Sequence, residues 1–495
     1  MMTMTRIAAG VLAGSLFMGL ALPVCAEPAP VRLTLNDAVR LSFQRNLDLK
    51  VELYNPAQAQ ADIYRALGIY DPALNLSVNY SRSSTTETFF FTPINIDTFT
   101  ASAGVSELLP TGGTLGVNAS SGWISNSNSY YNNGLTLNAS QPLLRNFGRE
   151  NTELTIQVAR FGKEGSLARY QTKLTDTVAQ VRNDYFRLYN LREVLQVKRT
   201  SLALANKILE ETRGRVKAGV LPAMEILNAE FSAAAREKDV IDAERAVRDQ
   251  VDVLRQSLQL EGGGDIETSE PPIREFITIA EGEALTRALA SRPELAAQRV
   301  TLQVDELQRR VARNRTLPDL SVNANFGFQG YDPRFLGAYE RTAKADFPTW
   351  GIGLQFSYPI GNRAAENDYI KSKLALEQAQ TQLRNLESGV VNEVRAALRL
   401  VDTSFRQIEV TSRGTAYAEE RLRAFRTKNA VGLATTKDVF DVENDLVNAK
   451  ASQIQALVDY NNALTTLWRV TGELLERQGI KVSAAQAEEL YDSAR

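Results

Sequence analysis

The chain repeats itself in three ordered blocks. At a displacement of 246 positions Ala38 falls on Ala284, Leu49 on Leu295, Pro72 on Pro318 and Leu74 on Leu320. At 217 Leu137 falls on Leu354 and Pro142 on Pro359, and at 213 Val181 falls on Val394, Gly219 on Gly432, Glu225 on Asp438 and Glu230 on Glu443. Two unrelated amphipathic helices would not keep three blocks in one order, so the chain is internally duplicated. Each copy reads as a polar helical stretch, a proline, alternating strand-like residues and a long helical hairpin. Gly262-Gly263-Gly264 and Pro271-Pro272 mark the joint. The expected division is a signal peptide over 1–26, a first structural repeat over 27–264, a linker over 265–280, a second repeat over 281–476 and a C-terminal tail over 477–495.

From about Glu150 to Val216 no proline interrupts the chain, and Val181, Leu188, Leu195, Leu202, Leu209 and Val216 recur at every seventh position. A sustained repeat of seven implies a left-handed supercoil against neighbours. At 1.5 Å per residue the run makes a helix on the order of 100 Å long, too long for a compact globule. Gly219 and Pro222 break it, and a returning helix is expected from about Ala223 to Leu260. The second copy turns at Gly432, with Thr435 and Thr436 placed to cap the return.

The strand-like runs "LNLSVNYS", "TLGVNASSGW", "LTLNASQP", "LSVNANFGF" and "WGIGLQFSYP" alternate small polar with apolar residues. That pattern suits a barrel wall with one face in lipid and one in water. Phe89, Phe90, Phe91, Trp123, Tyr130, Tyr131, Trp350 and Tyr358 fall near expected strand ends, as interfacial aromatic girdles would. The competing reading is a soluble β-domain with aromatic core residues. After Ala26 no stretch approaches the roughly 20 apolar residues of a membrane helix, so a membrane-spanning mature chain must cross as a closed barrel.

Composition narrows the function. With 56 basic and 58 acidic residues, nucleic acid is not an expected partner. There is no His, which excludes a His general base, a Ser-His-Asp triad and His-ligated metal. The one Cys is Cys25, so no internal disulfide or thiolate cluster forms. Arg6, the apolar run Ile7 to Leu22 and Val24-Cys25-Ala26 read as a secretory leader cleaved before Glu27. Acylation of Cys25 is the rival reading; Val24 stands where a lipoprotein signal usually has Gly, Ala or Ser. Of five Met residues all but Met224 lie in the leader, which argues against dedicated metal handling. No carboxylate pair sits in a catalytic context, so no enzyme activity and no cofactor are expected.

The segments "LTLNDAVRLSFQRNLDLKV", "YDPALNLSVNYS", "SQPLLRNFG", "VKAGVLPAMEILNAE" and "VGLATTKDVFDVENDL", in this order and duplicated, resemble the TolC-like family of outer-membrane efflux and secretion channels over nearly all of 33–476. The resemblance implies an α+β membrane protein: a homotrimeric transmembrane β-barrel, surrounded by outer-membrane lipid and continued by a long periplasmic α-helical barrel. It further implies a passive conduit for a tripartite efflux pump or a type I secretion system. A periplasmic adaptor and an inner-membrane pump or transport ATPase would dock below. Open strand edges cannot face lipid, which independently demands several chains. The competing reading is a non-conducting, periplasm-spanning scaffold or adhesin. One feature departs from the family pattern of two strands per copy. Pro318 to Pro359 spans 41 positions but Pro72 to Pro142 spans 70, with a turn "LPTGG" at 109–113. The extra segment is either a further hairpin in the wall or one projecting beyond it.

A conduit needs a controlled opening. Asp438 and Asp441 lie three apart near the second turn and share a helix face. The resemblance places an acidic ring at these positions, which would gather six carboxylates in a trimer and attract cations. Acids in a first helical turn also favour the helix dipole, and both readings stand. Glu225 matches Asp438; in the family an acid there pairs with a base on the opposite turn, and here that position is Ala434. Lys437 and Arg426 are the candidate substitutes. Gly219 and Gly432 are expected to supply positive backbone torsions. By resemblance Gly219, Val220, Val431, Gly432, Leu433 and Thr435 meet the adaptor.

Overall fold

A computed structural model describes residues 31–86, 93–125 and 128–495. The expected leader with Cys25, and Phe89, Phe90 and Phe91, lie outside the described residues.

In the first copy β1 (Val31–Leu33), α1 (Leu35–Arg45) and α2 (Leu47–Leu67) lead through a short 3-10 turn into β2 (Ala73–Thr86), β3 (Pro93–Leu108), β4 (Thr114–Ser125) and β5 (Tyr130–Pro142). The short α3 (Arg149–Thr152) precedes the 64-residue α4 (Leu154–Lys217), and α5 (Met224–Leu258) returns. After β6 (Ile266–Thr268) the order recurs as α6 (Glu281–Ser291), α7 (Pro293–Arg315), β7 (Asp319–Asp332), α8 (Phe335–Ala343), β8 (Phe347–Ser357), α9 (Arg363–Ala430) and α10 (Thr436–Thr471). Two short helices, α11 (Leu474–Arg477) and α12 (Ala485–Ala494), follow. No helix among the described residues is long and apolar enough to cross a membrane.

The duplication survives in the fold. Displaced by 246, α1 covers α6 and β2 covers β7 end for end; displaced by 213, α4 ends where α9 ends. What breaks the symmetry is β3 and β4. In the second copy β7 pairs directly with β8, whereas in the first the inserted hairpin separates β2 from β5. The extra segment therefore adds two strands to one antiparallel sheet of six, in the order β2-β3-β4-β5-β7-β8. "LPTGG" is the turn between them, closed by Leu109 N–H donating to the Gly113 carbonyl at 2.7 Å.

The long helices pack by their apolar stripes. Val181, Leu188 and Leu195 are buried as the spacing of seven predicts, but Leu202, Leu209 and Val216 are only half-buried. Ser201, Ala205, Ile208 and Thr212 take over the buried line. An α-helix of 3.6 residues per turn drifts by about 20° per seven residues, so the packed seam steps to adjacent positions. Leu174, Val178, Val394, Val401, Tyr460 and Leu464 form the central core, which α6 joins through Ala284 and Ala288.

The segment between copies is pinned as a belt across these helices. β6 pairs in parallel with β1. The Tyr185 hydroxyl donates to the Leu33 carbonyl at 3.1 Å and accepts the Glu270 N–H at 3.0 Å. Asn461 and Tyr460 of α10 hold the next stretch: Asn461 bonds both backbone groups of Ile273, and the Tyr460 hydroxyl donates to the Glu275 carbonyl at 2.6 Å. The tail also packs back, with Tyr491 of α12 stacked on Tyr64 of α2 at 5.3 Å.

Candidate functional site

The two helical turns have one geometry. Gly219 and Gly432 adopt φ of 74° and 77°, and the following N–H groups reach back, Val220 to the Arg215 carbonyl at 2.9 Å and Leu433 to the Lys428 carbonyl at 2.8 Å. Such left-handed caps satisfy carbonyls that the ending helix leaves unpaired, at a torsion glycine adopts without strain. Val220, Val431 and Leu433 are exposed, so each turn presents an apolar tip.

Beyond the turns the copies diverge. Thr435 is the N-cap of α10, and Asp438 completes a capping box: its carboxylate accepts from the Thr435 N–H at 2.9 Å and hydroxyl at 2.7 Å. Those two bonds hold the Asp438 carboxyl below the ordinary aspartate range. Asp441 is exposed one turn on and pairs with Lys437 at 3.1 Å. The first copy has Pro222 where the second has Thr435, so no hydroxyl is available and Glu225 caps nothing. One Glu225 carboxylate oxygen is buried without a partner among the described residues. Lys437 is engaged by Asp441, and neither it nor Arg426 pairs with Glu225 in this chain.

A different residue ties the two tips. Arg215, at the end of α4, donates to the carbonyl and side-chain oxygen of Asn429 at 3.2 and 3.3 Å. Asn429 in turn donates to the Ala434 carbonyl at 2.9 Å. Sequence comparison sought a base matched to Glu225 across the copies and missed Arg215, which acts on a backbone carbonyl that no side-chain pattern reveals. Deeper in the hairpins, Glu443 of α10 is buried and lies 3.2 Å from Arg236 of α5. Burial is the largest influence on Glu443 and pushes its carboxyl up from the ordinary glutamate range. Its counterpart Glu230 is half-exposed and pairs with Arg213 at 2.8 Å.

The sheet is the second part of the site. Directly opposed residues share a face in an antiparallel sheet, so the register sorts every side chain. One face carries Leu74, Leu76 and Val78 opposite Val105, Ala103 and Ala101, and continues through Val117, Leu135, Leu137, Phe326, Trp350 and Leu354. Along β2 this face passes from aliphatic residues to Tyr80 and then Arg82, which pairs with Asp97 at 2.6 Å. Tyr80, Phe99, Trp123 and Tyr131 stand opposite one another on four successive strands. The aliphatic–aromatic–charged order is that of a wall leaving a membrane. Tyr130 departs from the expected girdle: it opposes Ile124 on the other face and lies 6.3 Å from Tyr331. Tyr358 follows β8 at the opposite end of the strands, and Trp350 sits within β8 rather than at its edge.

The other face is almost without charge and is polar until its far end, where Ile96, Ile124, Tyr130, Tyr331 and Phe347 stand. Asn75, Asn118, Asn138, Asn323 and Asn325 alternate with Gly104, Gly116, Gly351 and with serines and threonines; Ser77 and Ser102 bond across strands at 2.7 Å. Among the described strand residues its one charged side chain is Asp319, at the helical end. Both outer strands of the sheet, β2 and β8, have a free edge.

Comparison with known proteins agrees with this geometry. The profile of the outer membrane efflux protein family matches residues 38–259 and 284–473. TolC of Salmonella enteritidis is 25% identical over 299 residues, and the match spans 59% of this chain but only 60% of TolC's length. BepC, an outer membrane efflux protein of Brucella suis, is 23% identical over 365 residues, spanning 73% of this chain and 76% of that protein. The fold is similar to that of the Campylobacter jejuni CmeC outer membrane channel, with a TM-score of 0.66 at 17% identity over 92% of this chain and 89% of that one. The chain belongs to the outer membrane efflux protein family and resides in the outer membrane, its helical part in the periplasm.

Proposed function

We propose that three copies of this chain close a single transmembrane barrel and a single helical tunnel, forming a passive conduit from periplasm to exterior for a tripartite efflux pump or a type I secretion system. The observation that carries this reading is the sheet: six strands, two free edges, one apolar face and one polar face with a single charge among the described strand residues. Free edges are not tolerated in lipid, and a closed ring that joins β8 of each copy to β2 of the next satisfies them. Three copies supply eighteen strands. At a strand spacing of about 4.8 Å and a tilt of about 40° the circumference is roughly 110 Å. The four long helices α4, α5, α9 and α10 supply twelve to the tunnel, and at 9–10 Å apart these also make a ring of roughly 110 Å. The inserted hairpin thus matches barrel to tunnel.

At the tunnel mouth, three copies of Asp438 and Asp441 form the cation-attracting ring, and the Arg215–Asn429 tie holds the two hairpins of one subunit together. Glu225 is a further gate element beside the first turn, its unpartnered oxygen enclosed within its own chain. The exposed apolar turns around Val220 and Leu433 are the adaptor surface. Purified protein is expected to run as a detergent-stable trimer and to conduct ions in a planar bilayer. A monomer without conductance, as a scaffold or adhesin would be, overturns the proposal.

A further inference from the structure

The connection between β7 and β8 is neither a tight turn nor a plug. Its helix α8 packs on β7 and β5, on the face that carries the aliphatic residues. The seat is built for it. A Cβ at Gly330 would strike the Ala338 carbonyl oxygen, and one at Gly337 would strike the Asp332 carboxylate. Asp332 accepts the Arg334 N–H at 2.9 Å and lies 3.4 Å from Arg341, and the Thr342 hydroxyl donates to the Asn133 carbonyl at 3.1 Å. Phe335 meets Tyr131 edge to face at 5.6 Å. On β7 the residue opposite Tyr131 is Asp332, so the helix supplies the ring that continues the row Tyr80, Phe99, Trp123 and Tyr131.

Yet Leu336 and Tyr339 are 73% and 64% exposed. By helical spacing they share one flank with Ala343, while Arg334, Arg341 and Lys344 lie on the other. Beside the apolar flank runs a trough of about 670 Å³, floored by Ala101, Ala103 and Ala119 and walled by Leu76, Val78 and Tyr339. The floor of the trough runs over β3 to β5 inside the sheet, and closing the ring sets a neighbour's β8 only along its β2 side.

We propose that α8 is an interfacial helix on the outer wall of the barrel, and that the trough beside it takes acyl chains of outer-leaflet lipid. Its occupant follows from continuity with the apolar wall and from the aromatic row that α8 extends. The inference rests on the barrel reading above. It is tested by nitroxide labels at L336C, Y339C, K344C and, as a wall reference, L137C, in the full chain reconstituted in phospholipid vesicles. The parent protein, whose only cysteine is Cys25, is the blank. Collision with oxygen is expected to exceed collision with a water-soluble nickel chelate several-fold at 336, 339 and 137, and the order is expected to reverse at 344. Labels 336 and 339 in water with 137 in lipid overturn the helix placement alone. All four in water overturn the barrel reading. A label at 339 shielded from both reagents shows the trough filled by protein and overturns the lipid assignment.

Discussion

Matching residues of the two copies have acquired different work through their neighbours. Asp438 caps α10 because Thr435 offers a hydroxyl; Glu225 does not cap α5 because Pro222 stands in that place. Thr435→Ala is expected to cost about 1 kcal/mol of local stability and to raise trypsin cleavage at the second turn. Gly432→Ala forces a left-handed torsion on a residue with a Cβ, and among the described residues no atom beyond its chain neighbours lies within 4 Å of that Cβ. The penalty is therefore backbone strain alone, about 1–2 kcal/mol, read as a lower melting temperature in detergent. Glu443 differs in sign. Its folded carboxyl titrates above its unfolded range, so the folded state binds the extra proton and stability falls as pH rises from the ordinary glutamate range through the raised value. Melting temperatures of Glu443→Gln should lack that part of the downward slope; an unchanged slope would show that Glu443 does not titrate there. The acids themselves were legible in the sequence. The Thr435 cap was legible too, because a capping box is local; the buried Glu443–Arg236 pair was not, because it depends on which guanidinium of another helix folds against the acid.

At the scale of elements, periodicity carried far. Helix α5 was expected from Ala223 to Leu260 and spans Met224–Leu258. Proline and glycine end helices by local sterics, so a sequence states such boundaries directly. The packed seam of α4 was less legible: spacing of seven identified buried positions up to Leu195 and not beyond, since the stripe drifts with the true helical repeat. The β3–β4 hairpin was visible as surplus length, a turn "LPTGG" and the strand-like run "TLGVNASSGW", but its place in the sheet was not. Removing residues 93–128 lets β2 pair with β5 as β7 pairs with β8, because the matching strands keep matching ends. The shortened protein is expected to remain a trimer. Barrel diameter scales with strand number, so twelve strands in place of eighteen give roughly half the cross-section, and single-channel conductance should fall to about half. Unchanged conductance would mean that the hairpin does not line the pore or that the tip, not the barrel, limits current.

At the scale of the whole molecule, charge is distributed unevenly along the proposed conduit. Among the described strand residues the polar face of the sheet holds Asp319 as its one charged side chain, whereas Asp438 and Asp441 stand near the second turn. Ion selectivity should therefore arise at the periplasmic mouth. In a salt gradient the parent channel is expected to prefer cations, and the double replacement of Asp438 and Asp441 by Asn should move the reversal potential towards zero. A potential unmoved by that change would place the selectivity elsewhere. The Arg215→Ala variant, in which the tie to Asn429 is lost, is expected to raise open probability without altering selectivity.

By itself the sequence determined the duplication, the helical hairpins and their turns, and the alternation that gives the strands an apolar and a polar side. Each of these is set by residues close in the chain, through torsional preference and periodicity. Only the tertiary structure decided that the surplus residues are two more strands of one sheet, that Arg215 rather than Lys437 or Arg426 joins the tips, and that α8 lies against the apolar face. Those outcomes depend on which strand edges pair and which carbonyls come within reach. Such contacts join residues as much as 214 positions apart, and local pattern carries no record of them.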